Sequence, residues 1–166
     1  MPLIPQPTYV RVYDADDYFS TRLNSDAWFE APVNQKLAAL IVATRAIDNL
    51  AFVGTKADPL QLTEFPRSGP LNTANGPPYP VPVPVPVPVA IYIACCEEAI
   101  VRLDGIDMEI EADGIGVDIA MYAGVKETYD RTTVYEATRA GIASQTAWNA
   151  LVPWLADPNS IYLARA

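Results

Sequence analysis

The stretch PVNQKLAALIVATRAIDNLAF, residues 32–52, holds the clearest helical pattern in the sequence. Pro32 suits the first position of a helix, where its missing N–H leaves no hydrogen bond unmade. Lys36, Arg45 and Asp48 lie mostly outside the apolar stripe that this helix would form. Spacings of three and four residues predict an α-helix with the stripe against the core. The stripe consists of Val33, Leu37, Leu40, Ile41, Thr44, Ile47 and Ala51.

A short helix and an aromatic wedge are predicted before this long helix. Asp14 is a suitable N-cap for a helix from about Ala15 to Leu23, and acidic residues in the first turn suit the helix dipole. A break follows at Asn24. Trp28 and Phe29 come shortly before the long helix, and we expect both rings to form a wedge beneath it.

Two helices and a β-ribbon are predicted further along the chain. Pro88 can begin a third helix that ends near Gly105, and Ser144 caps a last helix. Segments 117–122 and 125–129 alternate as short strands do. We predict a mainly α protein: a small helical bundle with a short β-ribbon excursion, a Pro-rich extended arm and an extended C-terminal tail. The single domain 1–166 then divides into N-terminal helices and loop (1–69), arm (70–88), third helix (89–105), acidic loop and ribbon (106–130), last helix (144–156) and tail (157–166).

Length and composition favour one domain without a membrane span. The chain has 166 residues, 51% of them hydrophobic, which is enough for a substantial core. No proline-free apolar stretch approaches the length of about 18 residues that a spanning helix needs. The first five residues carry no basic region and no signal-peptide core. We therefore expect a protein that is made and used in a cytoplasm, or released by lysis.

The residue types of most catalytic and metal sites are missing from the sequence. There is no histidine, and the two cysteines are adjacent, which excludes a nitrogen or sulfur metal site, a catalytic triad and a Cys–His nucleophile. Residues 109–114 half-match a calcium loop, but Ala120 stands where its glutamate belongs, so a solvated acidic loop is the better interpretation. Glu97 and Glu98 could in principle act as an acid–base pair, but neighbouring side chains on a helix point in different directions. We predict no enzyme and no cofactor.

Charge argues against nucleic-acid binding by neutralisation of phosphates. The chain has 20 acidic and 11 basic residues, a net charge of −9, so it repels phosphate. The basic residues are scattered, without the charged groove and interleaved aromatics that bind single strands. Nine tyrosines are available for stacking, but the electrostatics oppose this function.

A proline–valine run occupies the middle of the chain. Seven of the 16 prolines lie between residues 77 and 88. Each proline fixes its own φ and disfavours α geometry in the residue before it, which predicts polyproline II. At ~3.1 Å per residue the run would extend roughly 35–40 Å. Residues 77–80 satisfy P-x-x-P but lack a flanking basic residue, so an arm or spacer is a better interpretation than an SH3 ligand.

Five separated pieces of the sequence resemble one protein family when they are taken in order. They are TYVRVYDADDYFSTRL, AWFEAPVNQKLAALIVATRAIDNLAFVGTKAD, LQLTEFPRSG, VPVAIYIACCEEAIVRL and ALVPWLADPNSIYLARA. Their combination resembles the head–tail connector (adaptor, or head-completion) proteins of tailed bacteriophages, in particular the branch often labelled DnaT-like single-stranded-DNA-binding protein. The sequence departs from the family pattern between Arg67 and Pro88, where the proline–valine run replaces a short link.

The resemblance implies a structural virion protein of the neck, assembled in the host cytoplasm. It implies a homo-oligomeric ring, commonly of twelve copies, that seals and conducts the DNA channel between the portal protein and the next tail or neck component. Genomic double-stranded DNA would pass through without specific binding. Portal contacts would then fall on Ser160, Ile161, Tyr162, Leu163, Arg165, Val117, Ile119 and Tyr122.

Two further surfaces follow from the ring hypothesis. The arm would contact a neighbouring subunit through Tyr79, Val81, Val83, Val85 and Val87. The acidic run would face the channel through Asp107, Glu109, Glu111 and Asp113. The alternative function is that of a single-stranded-DNA-binding protein of a replication module, for which we expect an affinity that falls steeply with added salt.

Overall fold

The computed structural model describes residues 7–68, 87–106, 119–122, 125–128 and 136–156. These residues form a mainly helical structure with two short antiparallel β-ribbons. The predicted fold class, a small helical bundle with a short β-ribbon, is confirmed. The predicted tail and most of the predicted arm lie outside the described residues. Within the described part, no helix is both long enough and apolar enough to cross a membrane.

The elements of the described residues follow one another in a simple order. The helices are α1 (Val12–Ser20), α2 (Asp26–Glu30), α3 (Val33–Asp48), α4 (Val89–Leu103), α5 (Glu136–Arg139) and α6 (Gln145–Leu151), and a 3₁₀ turn (Val152–Trp154) continues α6. The ribbons are β1 (Thr55–Lys56) with β2 (Arg67–Ser68), and β3 (Ile119–Tyr122) with β4 (Val125–Thr128).

Helix α4 is the centre of the bundle, because it packs against both α3 and α6. Most of its length is buried, including Ile91, Cys95 and Ile100. Thr44 Oγ1 of α3 lies 3.5 Å from Cys95 Sγ, so the two helices approach each other closely. Burial of each large aliphatic side chain contributes about 1.5–3 kcal/mol. Helix α4 therefore anchors its two neighbours.

Helix α3 is confirmed, but it ends at Asp48 and not near residue 52, and the predicted core stripe is wrong at Val33, Leu37 and Ala51, which are exposed. Val33 and Leu37 are 67% and 44% exposed, whereas Lys36 is only 8% exposed. Lys36 tolerates burial because its ammonium donates a hydrogen bond to Asp16 Oδ1 of α1 at 2.9 Å. Small side chains on the remaining buried positions allow α4 to come close. The buried face consists of Lys36, Ala39, Leu40, Ala43, Thr44 and Ile47.

Helix α1 begins at Val12, three residues before the predicted start, and Arg11 is its N-cap residue. The predicted N-cap at Asp14 is therefore wrong. Asp14 lies in the first turn, where its carboxylate accepts a hydrogen bond from Arg11 Nε at 2.7 Å. The predicted break is confirmed at Asn24, whose φ of 56° lies in the left-handed region that asparagine tolerates.

The aromatic wedge before α3 is half confirmed. Trp28 is fully buried, and its ring lies 4.6 Å from that of Phe19 between centroids. Phe29 is 51% exposed, so its predicted burial is wrong. Both residues lie in α2, where successive side chains point about 100° apart. One of the two rings can face the core, and the other is directed to its edge.

Proline and serine mark the starts of the other helices well. Helices α3 and α4 begin directly after Pro32 and Pro88, so Pro32 stands one position before the helix rather than at its first position. Ser144 caps α6 as predicted, since its Oγ accepts a hydrogen bond from the N–H of Ala147 at 3.1 Å. The α-helix ends at Leu151, earlier than predicted, and the 3₁₀ turn follows.

Candidate nucleic-acid interface

Most of the described basic side chains are held in ion pairs within the chain. Eight lysine and arginine side chains are described, and six of them lie in such pairs. The pairs are Arg11–Asp14, Arg22–Glu97, Lys36–Asp16, Lys56–Glu64, Arg67–Glu64 and Arg102–Glu98. A cation that already faces a carboxylate contributes little to the neutralisation of a phosphate. Within the described part of the chain, these six side chains therefore offer little to a phosphate group.

Glu97 of α4 ties α1 to the centre of the bundle. Its Oε1 accepts hydrogen bonds from Tyr18 OH at 2.7 Å and from Arg22 Nε at 2.6 Å, and its Oε2 accepts from Arg22 Nη2 at 2.9 Å. Burial, followed by the hydrogen bond to Glu97, raises the pKa of Tyr18. Because both oxygens of this carboxylate already accept hydrogen bonds within the protein, its role is structural.

Glu98 points away from Glu97, as predicted for neighbours on a helix, and it is fully buried. Its Oε1 accepts from Arg102 Nε at 2.8 Å, and its Oε2 accepts from the backbone N–H groups of Ala143 and Ser144 at 2.9 Å each. The carboxylate therefore fastens the start of α6 to α4. Its acceptor sites are occupied by these structural partners.

A second polar cluster joins three parts of the chain, and no sequence pattern predicted it. Tyr9 OH donates to Asp48 Oδ1 at the end of α3. The N–H of Glu64 donates to the same Oδ1 at 3.0 Å, and the N–H of Phe65 donates to Tyr9 OH at 3.2 Å. Burial raises the pKa of Asp48, and burial together with the hydrogen bond to Asp48 raises that of Tyr9. The cluster fastens the loop between β1 and β2 to α3.

The two cysteines offer no reactive group at the surface. Cys95 and Cys96 are buried, unbonded thiols of α4. Burial raises the pKa of Cys95 to about 12, and burial also raises the pKa of Cys96. Since the thiolate is the nucleophile, both groups are unreactive in the folded state at neutral pH. Among the described residues, no three His, Cys, Asp or Glu side chains are grouped so as to hold a metal ion.

The outer face of α3 is an exposed surface without acidic residues. We use this name for Val33, Asn34, Leu37, Ala38, Ile41, Val42 and Arg45. Three large apolar side chains on it are at least 43% exposed, and Arg45 is exposed near its C-terminal end. The sequence contains no aspartate or glutamate from Ala31 to Ile47. In a chain of net charge −9, this face carries none of the acidic side chains that repel a polyanion.

Phe29 is a half-exposed ring that lies near Lys36, in the first turns of α3. Lys36 Nζ lies 5.5 Å from the centroid of the Phe29 ring and 5.2 Å from that of Trp28. Asp16 Oδ1 accepts hydrogen bonds both from Lys36 Nζ and from Trp28 Nε1, the latter at 2.8 Å. Burial alone would raise the pKa of Asp16, but these two hydrogen bonds outweigh it and lower the pKa. A half-exposed ring is thus held near an ion pair whose ammonium is buried and whose carboxylate is partly exposed.

The site residues predicted from the resemblance lie mostly outside the described residues. Ile119 and Tyr122 are the first and last residues of β3 and pair with Thr128 and Val125. Val87 is partly buried and packs against the core of its own chain. The remaining predicted contact and channel residues are not among those described: Ser160, Ile161, Tyr162, Leu163, Arg165, Val117, Tyr79, Val81, Val83, Val85, Asp107, Glu109, Glu111 and Asp113.

The geometry defines a small helical bundle whose described cations are mostly paired internally, and whose outer face of α3 is apolar, exposed and free of acidic residues. A family model matches residues 6–165, and its description is "Putative DnaT-like ssDNA binding protein". The match covers almost the whole chain, so the protein belongs to this family. No curated protein and no solved structure matches the chain.

The family match overturns the connector interpretation. The matched family is described by single-stranded-DNA binding and not as a head–tail connector. The predicted virion function and the predicted partners, namely a twelve-copy ring, a portal, a tail component and passing double-stranded DNA, are therefore wrong. The resemblance misled because the order of five pieces was used to assign a function, and a shared fold does not by itself determine what a protein binds.

Proposed function

We propose that the protein binds single-stranded DNA through the outer face of α3 together with Phe29. The observation that carries the proposal is the family match over residues 6–165, since the family description names this activity. The exposed apolar and acid-free character of the face supports its choice as the contact surface. This function is the alternative that the sequence had left open.

Base stacking is the interaction that this surface offers. Phe29 presents half of its ring, and exposed Val33, Leu37 and Val42 form an apolar surface along α3. Stacking of a base on an aromatic ring contributes about 1–3 kcal/mol and tolerates any base, because every base has a π-face. In a duplex those faces are covered by neighbouring base pairs. The proposal therefore includes a preference for single strands over duplexes.

The expected salt dependence differs from the steep one inferred from the sequence. For single strands, the slope of log K against log[salt] is about −0.7 for each phosphate neutralised. Arg45 is the one basic residue among the exposed members of the face, so we expect a slope of about −0.7 or shallower. Added salt also screens the repulsion that arises from the net charge of −9, which flattens the slope further.

The proposal is tested by fluorescence anisotropy with a labelled thymidine oligonucleotide, with Leu37→Asp as the variant and Val89→Asp as its matched control. Both positions are exposed and apolar on helices, but Val89 begins α4, which packs against the buried face of α3. We expect Leu37→Asp to weaken binding about tenfold, or ~1.4 kcal/mol, because its carboxylate faces the phosphates. Val89→Asp should change affinity less than about twofold.

Circular dichroism and thermal unfolding establish that both variants fold. Failure of the wild-type protein to bind any single-stranded oligonucleotide at low salt would overturn the proposed function. Binding that both aspartate variants weaken equally would retain the function and remove the outer face of α3 as its site.

A further inference from the structure

Phe29 has two different sides, and a buried cation lies near one of them. Lys36 is 8% exposed, and its Nζ lies 5.5 Å from the centroid of the Phe29 ring. Phe29 itself is 51% exposed. Since the ammonium is almost entirely inside the protein, it lies on the inner side of the ring. The open side of the ring faces solvent, where a base would stack.

A cation beside one face of an aromatic ring changes what the opposite face attracts. The faces of the ring carry negative charge and its edge carries positive charge, and a cation within about 6 Å is attracted to the face. The cation also draws π-electron density toward itself, so the far face becomes less negative. A less negative face stacks better on a large, electron-rich ring system, and the purines are larger and richer in electrons than the pyrimidines.

We propose that Lys36, acting through Phe29, makes this site prefer a purine over a pyrimidine at one position of a bound single strand. The inference rests on the proposed function, because it concerns the base selectivity of the same surface. Lys36 would not touch the DNA. It is a specificity-determining residue that acts through the ring above it.

The carboxylate of Asp16 offsets part of the charge of Lys36. Removal of the Asp16 charge should therefore change the base preference in the opposite direction to removal of the Lys36 charge. Asp16 Oδ1 lies 2.9 Å from Lys36 Nζ, and its negative charge offsets part of the field at the ring. The Asp16 side chain is 39% exposed, so solvent screens the carboxylate more than the ammonium, and a net positive field remains at Phe29. Replacement of the carboxylate by a neutral amide of the same shape should strengthen the preference.

The experiment compares short thymidine oligonucleotides that differ in one central base: adenine, guanine, cytosine, thymine or none. The readout is the ratio of affinities between the purine and pyrimidine probes. For the wild-type protein we expect a purine preference of about two- to fivefold, the range that cation–π energies at exposed sites allow. Lys36→Met should reduce the ratio to the lower value that the larger ring of a purine gives by itself, Lys36→Arg should retain the wild-type ratio, and Asp16→Asn should increase it.

A purely structural role for Lys36 would weaken binding to all five probes alike and leave the ratio unchanged, and that result would overturn the inference. Equal affinity of the wild-type protein for purine and pyrimidine probes would overturn it too, with single-stranded binding itself intact. Failure to bind any probe would overturn the proposed function and this inference together. If Lys36→Met does not fold, Lys36→Arg and Asp16→Asn still test the inference. A purine-to-pyrimidine affinity ratio of Asp16→Asn at or below the wild-type value would contradict the mechanism.

Discussion

Helices α3 and α4 have similar lengths and lie side by side, yet they distribute their side chains in opposite ways. Helix α4 buries both of its glutamates, Glu97 and Glu98, as well as its apolar residues. Helix α3 leaves Val33 and Leu37 in solvent and buries Lys36. The difference follows from position, because α4 lies between α3 and α6 and is covered on two sides. Burial is therefore decided by which neighbours cover a residue and which partners they supply.

The largest effect is expected at the buried carboxylate of α4. Glu98→Ala leaves Arg102 without its ion-pair partner and removes the acceptor of two backbone N–H groups. Removal of one partner of a buried ion pair costs about 3–5 kcal/mol. We expect a loss of this size in the free energy of unfolding, measured by urea denaturation. Glu98→Gln retains an acceptor oxygen and should lose less; a loss below about 1 kcal/mol for Glu98→Ala would contradict the structural role.

The next largest effect on stability is expected from alanine-to-leucine substitutions, one on each face of α3. Ala43 is fully buried and Ala38 is exposed, so leucine is added in turn to the buried face and to the outer face. We expect Ala43→Leu to destabilise by about 1–3 kcal/mol through overpacking against α4. Ala38→Leu should change stability by less than about 0.5 kcal/mol. Equal losses in urea denaturation would show that the helix is oriented differently.

The smallest effect is a pH dependence of opposite sign at two aspartates: Asp16, which pairs with Lys36 of α3, and Asp48, the last residue of α3. The pKa of Asp16 is lowered in the fold, so its contribution to stability is present above the ordinary aspartate pKa of about 3.9 and is lost as pH falls through the lowered value. The pKa of Asp48 is raised by burial, so stability from that group is present below about 3.9 and is lost as pH rises through the raised value.

Unfolding of Asp16→Asn and Asp48→Asn as a function of pH measures these two contributions. Relative to wild type, Asp16→Asn should lose stability mainly at higher pH, and Asp48→Asn should lose most at the lowest pH and least at neutral pH. The Asp16 effect should stay below about 1 kcal/mol, because its pair with Lys36 is partly exposed. Parallel pH profiles for the two variants would contradict the assigned environments.

The sequence predicts the helices well because their signals are local. Periodicity and the residues at helix starts identified α3, α4 and α6, and Ser144 caps α6 through a contact three residues away. The orientation of α3 was predicted less well, since large apolar residues were taken to face inward. The buried face instead carries Ala39 and Ala43, whose small size permits close approach to α4.

The candidate site was missed because its key contacts are not local. Lys36 is buried by a pairing with Asp16, which lies 20 residues earlier in another helix. Periodicity within one helix carries no information about such a partner. The absence of acidic residues from Ala31 to Ile47 was an available signal, but it does not single out α3, because longer acid-free stretches cover residues 65–96 and 137–156.

The rate at which a reagent modifies the buried thiols of α4 reports how often this part of the protein opens. Because Cys95 is buried beside Thr44 and Leu40 of α3, an alkylating reagent reaches its thiol only when the α3–α4 contact separates. A ligand that binds the folded protein on the outer face of α3 stabilises the closed state by RT ln(1 + [L]/Kd). Alkylation in the presence of an oligonucleotide should then slow by the factor 1 + [L]/Kd. The rate of thiol loss therefore measures how much ligand occupies the opposite side of the helix.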